Sequence, residues 1–131
     1  MAFDRYRLNC QEENREVTKA VDIYGRLDYD VNIAGIEGTL ATTADYPEDT
    51  WNRVIGINLT GAYLCLKHAI PQMLKQGAGV IADMASILGV VGFATAGAYA
   101  AAKHGLIGLT QTAALEYATQ GIRVNAVCLD S

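Results

Sequence analysis

Hydrophobic positions along this chain follow two patterns: short apolar runs typical of buried strands, and apolar residues three or four apart, typical of helices. The strands are predicted at residues 27–34, 78–84 and 122–127, and the helices at 14–25, from 47 until Pro71 interrupts the pattern, and at 98–119. Because strands and helices alternate, the chain is predicted to form an α/β domain with a parallel sheet and right-handed crossovers. No repeat or linker divides it, so residues 1–131 are expected to form a single domain.

Glycines and sheet topology indicate where helices end and where a ligand would bind. Gly25 and Gly121 follow the first and last predicted helices, as C-capping glycines do. In parallel sheets of this kind, ligands bind beyond the carboxyl ends of the strands. The chemistry is therefore expected around residues 32–35, at Ser86 and around residues 128–131.

The composition indicates a folded protein with few cationic side chains. Hydrophobic residues make up 51% of the 131 residues and charged residues 18%, which excludes an intrinsically disordered chain. Trp51 and Phe93 are interpreted as packing residues. The net charge of −4 leaves no excess of lysine and arginine to bind phosphate groups, so neither nucleic acid nor an anionic membrane surface is expected as a partner. Only eight of the 24 charged side chains lie in residues 50–131, so partner subunits or further chain are expected to cover this segment.

Cysteine usage and apolar stretches bear on compartment and metals. Three well-separated cysteines without a C-x-x-C motif argue against a zinc site or a disulfide framework and favour a reducing cytoplasm. No signal peptide is visible, and glycine, serine and threonine dilute the uncharged stretch at 84–102, so no membrane span is expected. His68 and His104 have no second ligand at metal spacing, and no metal site is expected.

Tyr99 and Lys103 are the strongest candidates for chemistry. They lie four residues apart at the start of a predicted helix and therefore share one of its faces. A lysine ammonium beside a tyrosine lowers the pKa of the phenol, which can then exchange a proton with an alcohol or carbonyl near neutral pH. Tyr63 and Lys67 have the same spacing in the preceding helix, so spacing alone does not identify the site.

Ser86 and Asn58 distinguish the two pairs. Ser86 lies 13 residues before Tyr99, just past the end of a predicted strand, where a hydroxyl can donate to a substrate oxygen. Thr50 stands at the same offset from the other pair, but in the first turn of its own helix, as a capping or surface residue. Asn58 is a polar amide in an otherwise apolar helix; for a lone asparagine, a local hydrogen bond or a kink is the alternative to a functional role.

Five motifs, in order and spacing, resemble those of the short-chain dehydrogenase/reductase family: VNIAG at 31–35, INLTG at 57–61, MAS at 84–86, YAAAK at 99–103 and GIRVNAV at 121–127. The resemblance spans about residues 16–128 and is to members of the bacterial glucose dehydrogenase and 3-oxoacyl reductase type. It implies a partial Rossmann-like, doubly wound parallel sheet and hydride transfer between NAD or NADP and a small-molecule carbonyl or secondary alcohol. It also implies a homo-oligomer, dimer or tetramer, formed through the helices that carry Asn58 and Tyr99.

The resemblance assigns roles to individual residues. Tyr99 would be the general acid/base, and Lys103 would lower its pKa and bind the nicotinamide ribose. Ser86 would hold the substrate oxygen, and Asn58 would anchor a water that relays protons from Lys103. The adenosine side of the cofactor crevice would be lined by Asn32, Ala34 and Gly35.

The chain also departs from the family pattern. No segment matches the glycine-rich T-G-x-x-x-G-x-G turn that binds a pyrophosphate, so the first βαβ unit is expected to be missing. The last strand of the family is also expected to be missing, because the sequence stops at Ser131. The choice between NAD and NADP is not readable. Ile33 replaces the second asparagine of N-N-A-G, and Asp83 stands in a buried strand where the family usually has asparagine. An unpaired carboxylate there would be costly or protonated. The second hypothesis is therefore a catalytically silent fragment that associates with relatives through its apolar helices.

Overall fold

Four parallel strands form one sheet, in the order β1-β2-β3-β4, in the computed structural model, which describes residues 4–5, 19, 21–32, 35–86 and 92–129. The strands are β1 (Asp4–Arg5), β2 (Tyr29–Asn32), β3 (Gly79–Ser86) and β4 (Ile122–Leu129). The helices are α1 (Glu48–Ile55), α2 (Gly61–Gln76) and α3 (Gly97–Tyr117), with a π-helical turn at Gly56–Thr60 between α1 and α2. The predicted α/β class with parallel strands is confirmed. Within the described ranges, no helix has the length and apolar character needed to cross a membrane.

The three predicted strands are confirmed, and a fourth lies at the edge of the sheet. All eight residues of β3 pair with β4, ending with Ser86 opposite Leu129. Both strands extend two residues beyond their predicted ends, because the pairing between them continues to Ser86 and Leu129. The edge strand β1 pairs in parallel with β2. It was not predicted because its two residues are both charged and offer no apolar pattern.

The prediction that Pro71 interrupts the second long helix is wrong. Helix α2 continues through Pro71 and ends at Gln76. Proline lacks the N–H that would bond to the Lys67 carbonyl, a loss that ordinarily costs about 3 kcal/mol or more. Both Pro71 and Lys67 are exposed, so water can bond to that carbonyl. On the opposite side, the buried Ile70 and Met73 hold the helix against the core.

Glycines end the helices as the sequence indicates. Gly25 and Gly121 have φ values of +78° and +83°, and Gly77 closes α2 with φ of +81°. The Gly25 N–H donates to the Val21 carbonyl at 2.7 Å, which closes a helical turn at residues 21–24. Residues 14–18 and 20 of the predicted first helix lie outside the described residues.

The core lies between one face of the sheet and helices α2 and α3. Side chains alternate along a strand, so Ile81 of β3 and Val124 of β4 point to the same face. The opposite face is more open to solvent, with Tyr29 50% and Val127 40% exposed. The buried members of the core cluster are Leu27, Leu66, Ala69, Ile70, Met73, Ile81, Ala113, Ile122 and Val124.

Side-chain amides hold the backbone on both sides of β2. Before the strand, Gln76 Oε1 accepts from the Leu27 N–H at 2.7 Å, and Gln76 Nε2 donates to the Leu27 carbonyl at 2.8 Å. After the strand, Asn58 makes the same pair of bonds with the N–H and carbonyl of Ile36, at 2.8 and 2.7 Å. Each amide satisfies one donor and one acceptor, so β2 is tied on one side to the end of α2 and on the other to the π-helical turn between α1 and α2.

Replacing Gln76 by glutamate is expected to destabilise the fold by about 2 kcal/mol, because a carboxylate can accept from the Leu27 N–H but leaves the Leu27 carbonyl without a donor. The exposed Gln111 on α3 provides a matched control, since Gln111→Glu adds the same charge away from such a contact. Urea denaturation followed by circular dichroism measures both variants. Equal midpoints for the two variants would contradict a role for Gln76 in holding β2.

Candidate active site

Tyr99 and Lys103 lie in the first two turns of α3, where the helix begins beside the carboxyl end of β3. The Lys103 ammonium nitrogen is 5.6 Å from the centre of the Tyr99 ring. Lys103 is only 5% exposed, and Tyr99 is half-buried. The four-residue spacing therefore brings a buried cation next to a phenol that remains accessible.

The position of Lys103 is determined by a main-chain contact. Its Nζ donates to the Met84 carbonyl, near the end of β3, at 3.2 Å. Burial lowers the pKa of Lys103 from its ordinary range, and the negative charge of Asp83 partly offsets that effect. The Lys103 nitrogen is therefore held at the end of β3 by a main-chain acceptor.

The other pair with this spacing lies elsewhere. Tyr63, on α2, is 44% exposed, and Lys67 is also exposed. Burial, rather than spacing, separates the two pairs.

Asn58 lies in the π-helical turn and is 1% exposed. In this turn the Gly61 N–H donates to the Gly56 carbonyl, five residues earlier, so the helix is locally widened. The widening corresponds to the predicted alternative of a kink. A local hydrogen bond is not what the Asn58 side chain makes, because its partner Ile36 is 22 residues away in sequence.

Gly35 lies beside two buried polar side chains, those of Asn58 and Lys103. A Cβ atom added at Gly35 would lie 3.3 Å from Asn58 Oδ1 and 3.4 Å from Lys103 Nζ. The loop after β2, the π-helical turn and α3 therefore converge at this point. A side chain at position 35 would fill the space that the three elements share.

The remaining predicted site residues are placed by the backbone. Asn32 is the last residue of β2 and pairs with Asp83, and Ser86 is the last residue of β3. Ser86 therefore belongs to β3, and the prediction that it lies just past the strand is wrong. Ala34 lies outside the described residues. Asn32 and Ser86 stand at the carboxyl ends of adjacent parallel strands, the edge at which such sheets bind ligands.

A cavity of about 260 Å³ adjoins Tyr99. The described residues that line it are Glu37, Leu40, Phe93, Ala96 and Tyr99. The interpretation of Phe93 as a packing residue is wrong: it is 60% exposed and lines this cavity. Thr95, in the turn that leads into α3, has a φ of +69°, which is rare for a β-branched residue and places strain next to the cavity.

Sequence reasoning missed the surroundings of Asp83. Asp83 is fully buried, but its carboxylate is not unpaired: Thr110 Oγ1 donates to its Oδ2 at 3.1 Å, and it attracts the Lys103 ammonium. Thr110 lies 27 residues away in sequence, and no local pattern links the two residues. The one available signal was their polarity on otherwise apolar faces of β3 and α3.

A parallel α/β sheet with a polar cluster at the carboxyl ends of its strands defines the class of protein, an α/β domain of the kind that binds ligands at that edge. The family model described as short chain dehydrogenase matches residues 8–130, and the chain belongs to this family. The resemblance stated from the motifs is thereby confirmed. An uncharacterized oxidoreductase, YxjF, from Bacillus subtilis (strain 168) is 50% identical over 105 residues, covering 80% of this chain and 40% of the relative.

Solved structures agree with the family assignment. NAD+-bound xylitol dehydrogenase matches with a TM-score of 0.90 and 39% identity, covering 94% of this chain and 47% of that one. ElxO with NADP bound matches with a TM-score of 0.90 and 36% identity, covering 94% of this chain and 50% of that one. The chain therefore spans about half the length of these relatives, or less.

Proposed function

We propose that this chain carries the catalytic residues of an NAD(P)-dependent oxidoreductase that interconverts a secondary alcohol and a carbonyl compound. The observation that carries the proposal is the buried Lys103 ammonium, held at the Met84 carbonyl and against the ring of Tyr99. A fixed positive charge beside a phenol favours the phenolate, which is the form that can accept a proton. The cavity next to Tyr99 supports a small molecule as the substrate.

In the proposed reaction, Tyr99 is the general acid or base that transfers the proton. The nicotinamide, when bound, would accept or supply the hydride. During alcohol oxidation the Tyr99 oxygen takes the hydroxyl proton while the carbon loses its hydride; during reduction Tyr99 returns the proton to the oxygen. Lys103 stabilises the negative charge on the Tyr99 oxygen, and Ser86 donates a hydrogen bond to the substrate oxygen. Asn58 keeps one N–H and one acceptor lone pair beyond its two bonds to Ile36, enough to anchor a relay water.

The described residues fit the nicotinamide-ribose end of a dinucleotide. An ammonium group has three donors, and the Met84 carbonyl takes one of those of Lys103, so the others can bind ribose hydroxyls. A Cβ at position 35 would lie 3.4 Å from Lys103 Nζ, so Gly35 keeps the donors of Lys103 unobstructed there, and Asn32 and Ala34 are proposed to line the adenosine side. The glycine-rich pyrophosphate turn does not occur in the 131 residues, and the relatives bind either NAD+ or NADP, so the cofactor is proposed as one of the two.

The proposal is tested by cofactor binding to Lys103→Met, a variant that keeps an apolar chain of similar length in the buried position. Its dissociation constant for NADH and NADPH is expected to rise about 10- to 100-fold, the effect of losing one or two charged hydrogen bonds. Lys67→Met is the control, because Lys67 is exposed on α2. Calorimetric titration of the whole chain measures all three proteins. Binding unchanged in Lys103→Met, or absent from the parent chain, would refute the proposal.

The second candidate function is a catalytically silent association module. Large apolar side chains are exposed on the helices, including Trp51 at 41%, Tyr63 at 44% and Leu115 at 85%. Under either candidate we propose that the chain forms a cytoplasmic homo-oligomer, dimer or tetramer, through the helices that carry Asn58 and Tyr99. A silent module would associate without binding NADH or NADPH, so the titration distinguishes the two candidates, and light scattering tests the association that both share.

A further inference from the structure

Two polar side chains on the core face of α3 reach consecutive residues of β3. Lys103 and Thr110 lie two helical turns apart and are 5% and 2% exposed. Lys103 Nζ donates to the Met84 carbonyl at 3.2 Å, and Thr110 Oγ1 donates to Asp83 Oδ2 at 3.1 Å. The helix that carries Tyr99 is therefore joined to β3 through a main-chain acceptor and, one residue earlier, through a buried carboxylate.

We propose that Asp83 is a positioning residue for Lys103: its buried carboxylate, held by Thr110, keeps Lys103 in the ammonium form at the Met84 carbonyl. This inference rests on the proposed function, in which Lys103 acts on Tyr99 and on the cofactor. Asp83 acts only through Lys103.

The reason is the conflict between burial and charge at Lys103. Desolvation lowers the pKa of Lys103, and the attraction of Asp83 raises it again. Without the carboxylate, only desolvation acts, and the amine loses its proton at a lower pH. A neutral amine neither stabilises a phenolate nor donates three hydrogen bonds, so the charge of Lys103 is a requirement of the proposed chemistry.

Thr110 has the hydrogen-bonding capacity to support a carboxylate. Its hydroxyl has one proton and two acceptors within reach, the Leu106 carbonyl at 2.7 Å and Asp83 Oδ2 at 3.1 Å. A bond to an ionised acceptor is the stronger of the two choices, so an ionised Asp83 draws the proton toward itself. The hydroxyl offsets part of the cost of burying that charge.

Other titratable groups near this network are few among the described residues. Tyr99 faces Lys103 from the same helix, Asp30 of β2 is buried on the same face of the sheet as Asp83, and His68 of α2 is half-buried. The remaining charged side chains of α1, α2 and β4 are exposed: Glu48, Asp49, Arg53, Lys67, Lys75 and Arg123. Asp83 is therefore the carboxylate whose charge acts on Lys103.

The inference is tested by titrating Lys103 directly. The chain has four lysines, so labelling with lysine carrying ¹³C at Cε gives four NMR signals, and Lys103→Arg identifies the one from Lys103. In Asp83→Asn, which keeps the shape and removes the charge, the Lys103 titration is expected to move to lower pH while the Lys67 and Lys75 signals titrate as before. Thr110→Val disturbs the same buried contact but leaves the carboxylate, so the Lys103 titration is expected to move less than in Asp83→Asn.

Two results would overturn the inference: an unchanged Lys103 titration in Asp83→Asn, or an equal shift in Thr110→Val, which would assign the effect to packing. If Asp83→Asn does not fold, the ¹³Cγ signal of Asp83 in the parent chain decides, because a protonated Asp83 at pH 7 would overturn it and an ionised one supports it. The readout uses neither cofactor nor substrate. Failure of cofactor binding would refute the proposed function without moving the Lys103 signal, so the two failures are distinguishable.

Discussion

Tyr99→Phe is expected to reduce turnover by about 10²- to 10⁴-fold, the typical contribution of a positioned proton donor or acceptor. The substitution removes only the hydroxyl and leaves the ring against Lys103, so NADH and NADPH binding is expected to change little. The rate is measured by the change in reduced nicotinamide with a panel of small secondary alcohols and ketones. A drop in rate without loss of binding would assign Tyr99 to the chemical step.

Tyr63→Phe is the matched control for this experiment. Tyr63 has the same spacing to a lysine, and its substitution removes the same hydroxyl group, but Tyr63 is 44% exposed on α2. Its turnover is expected to equal that of the parent chain. Comparable rates in Tyr99→Phe and Tyr63→Phe would remove Tyr99 from the proposed mechanism.

Gly121→Ala is expected to produce the largest loss of stability, about 3 kcal/mol or more. A left-handed backbone costs a residue with a side chain about 1–2 kcal/mol, and forcing an extra methyl into a packed site costs about 1–3 kcal/mol more. Gly121 has a φ of +83°, and a Cβ there would overlap the carbonyl oxygen of Gly77, a backbone atom that cannot rotate away. Denaturant unfolding measures the loss.

Gly77→Ala separates the two contributions. Gly77 has nearly the same φ, +81°, but a Cβ there would meet nothing within 4 Å. It is expected to lose only the conformational part, about 1–2 kcal/mol. If both alanine variants unfold at the same denaturant concentration, the close approach of residues 77 and 121 does not limit the fold.

The candidate site was predictable where its residues form a recognisable pattern in the sequence. Tyr99 and Lys103 were identified by their four-residue spacing, with Ser86 13 residues before Tyr99, and Asn58 because it is polar in an otherwise apolar helix. Their main partners were not predictable, because the Met84 carbonyl and the Ile36 amide and carbonyl are backbone groups that every sequence contains. The contact of Asp83 with Thr110 joins residues far apart in sequence, and a periodicity argument cannot pair them.

Errors in the fold prediction have the same origin. Pro71 predicts a helix break from local chemistry, yet the break is absent because the affected carbonyl lies on the exposed side of α2 and the other side is packed. The edge strand β1 was missed because its charged residues belong to the sheet only through pairing with β2. In both cases the deciding interaction involves residues outside the local segment.

The sequence by itself determined the alternation of strands and helices, the parallel sheet, the glycines that end the helices and the residue types that make up the site. These follow from periodicity and from the backbone preferences of single residues. Only the tertiary structure decided which Tyr–Lys pair contains a buried lysine and adjoins a cavity, that Asn58 holds Ile36, and that Asp83 accepts a hydrogen bond from Thr110. The physical reason is that burial and electrostatic coupling depend on what other segments bring to a residue, and these segments meet only when the chain has folded.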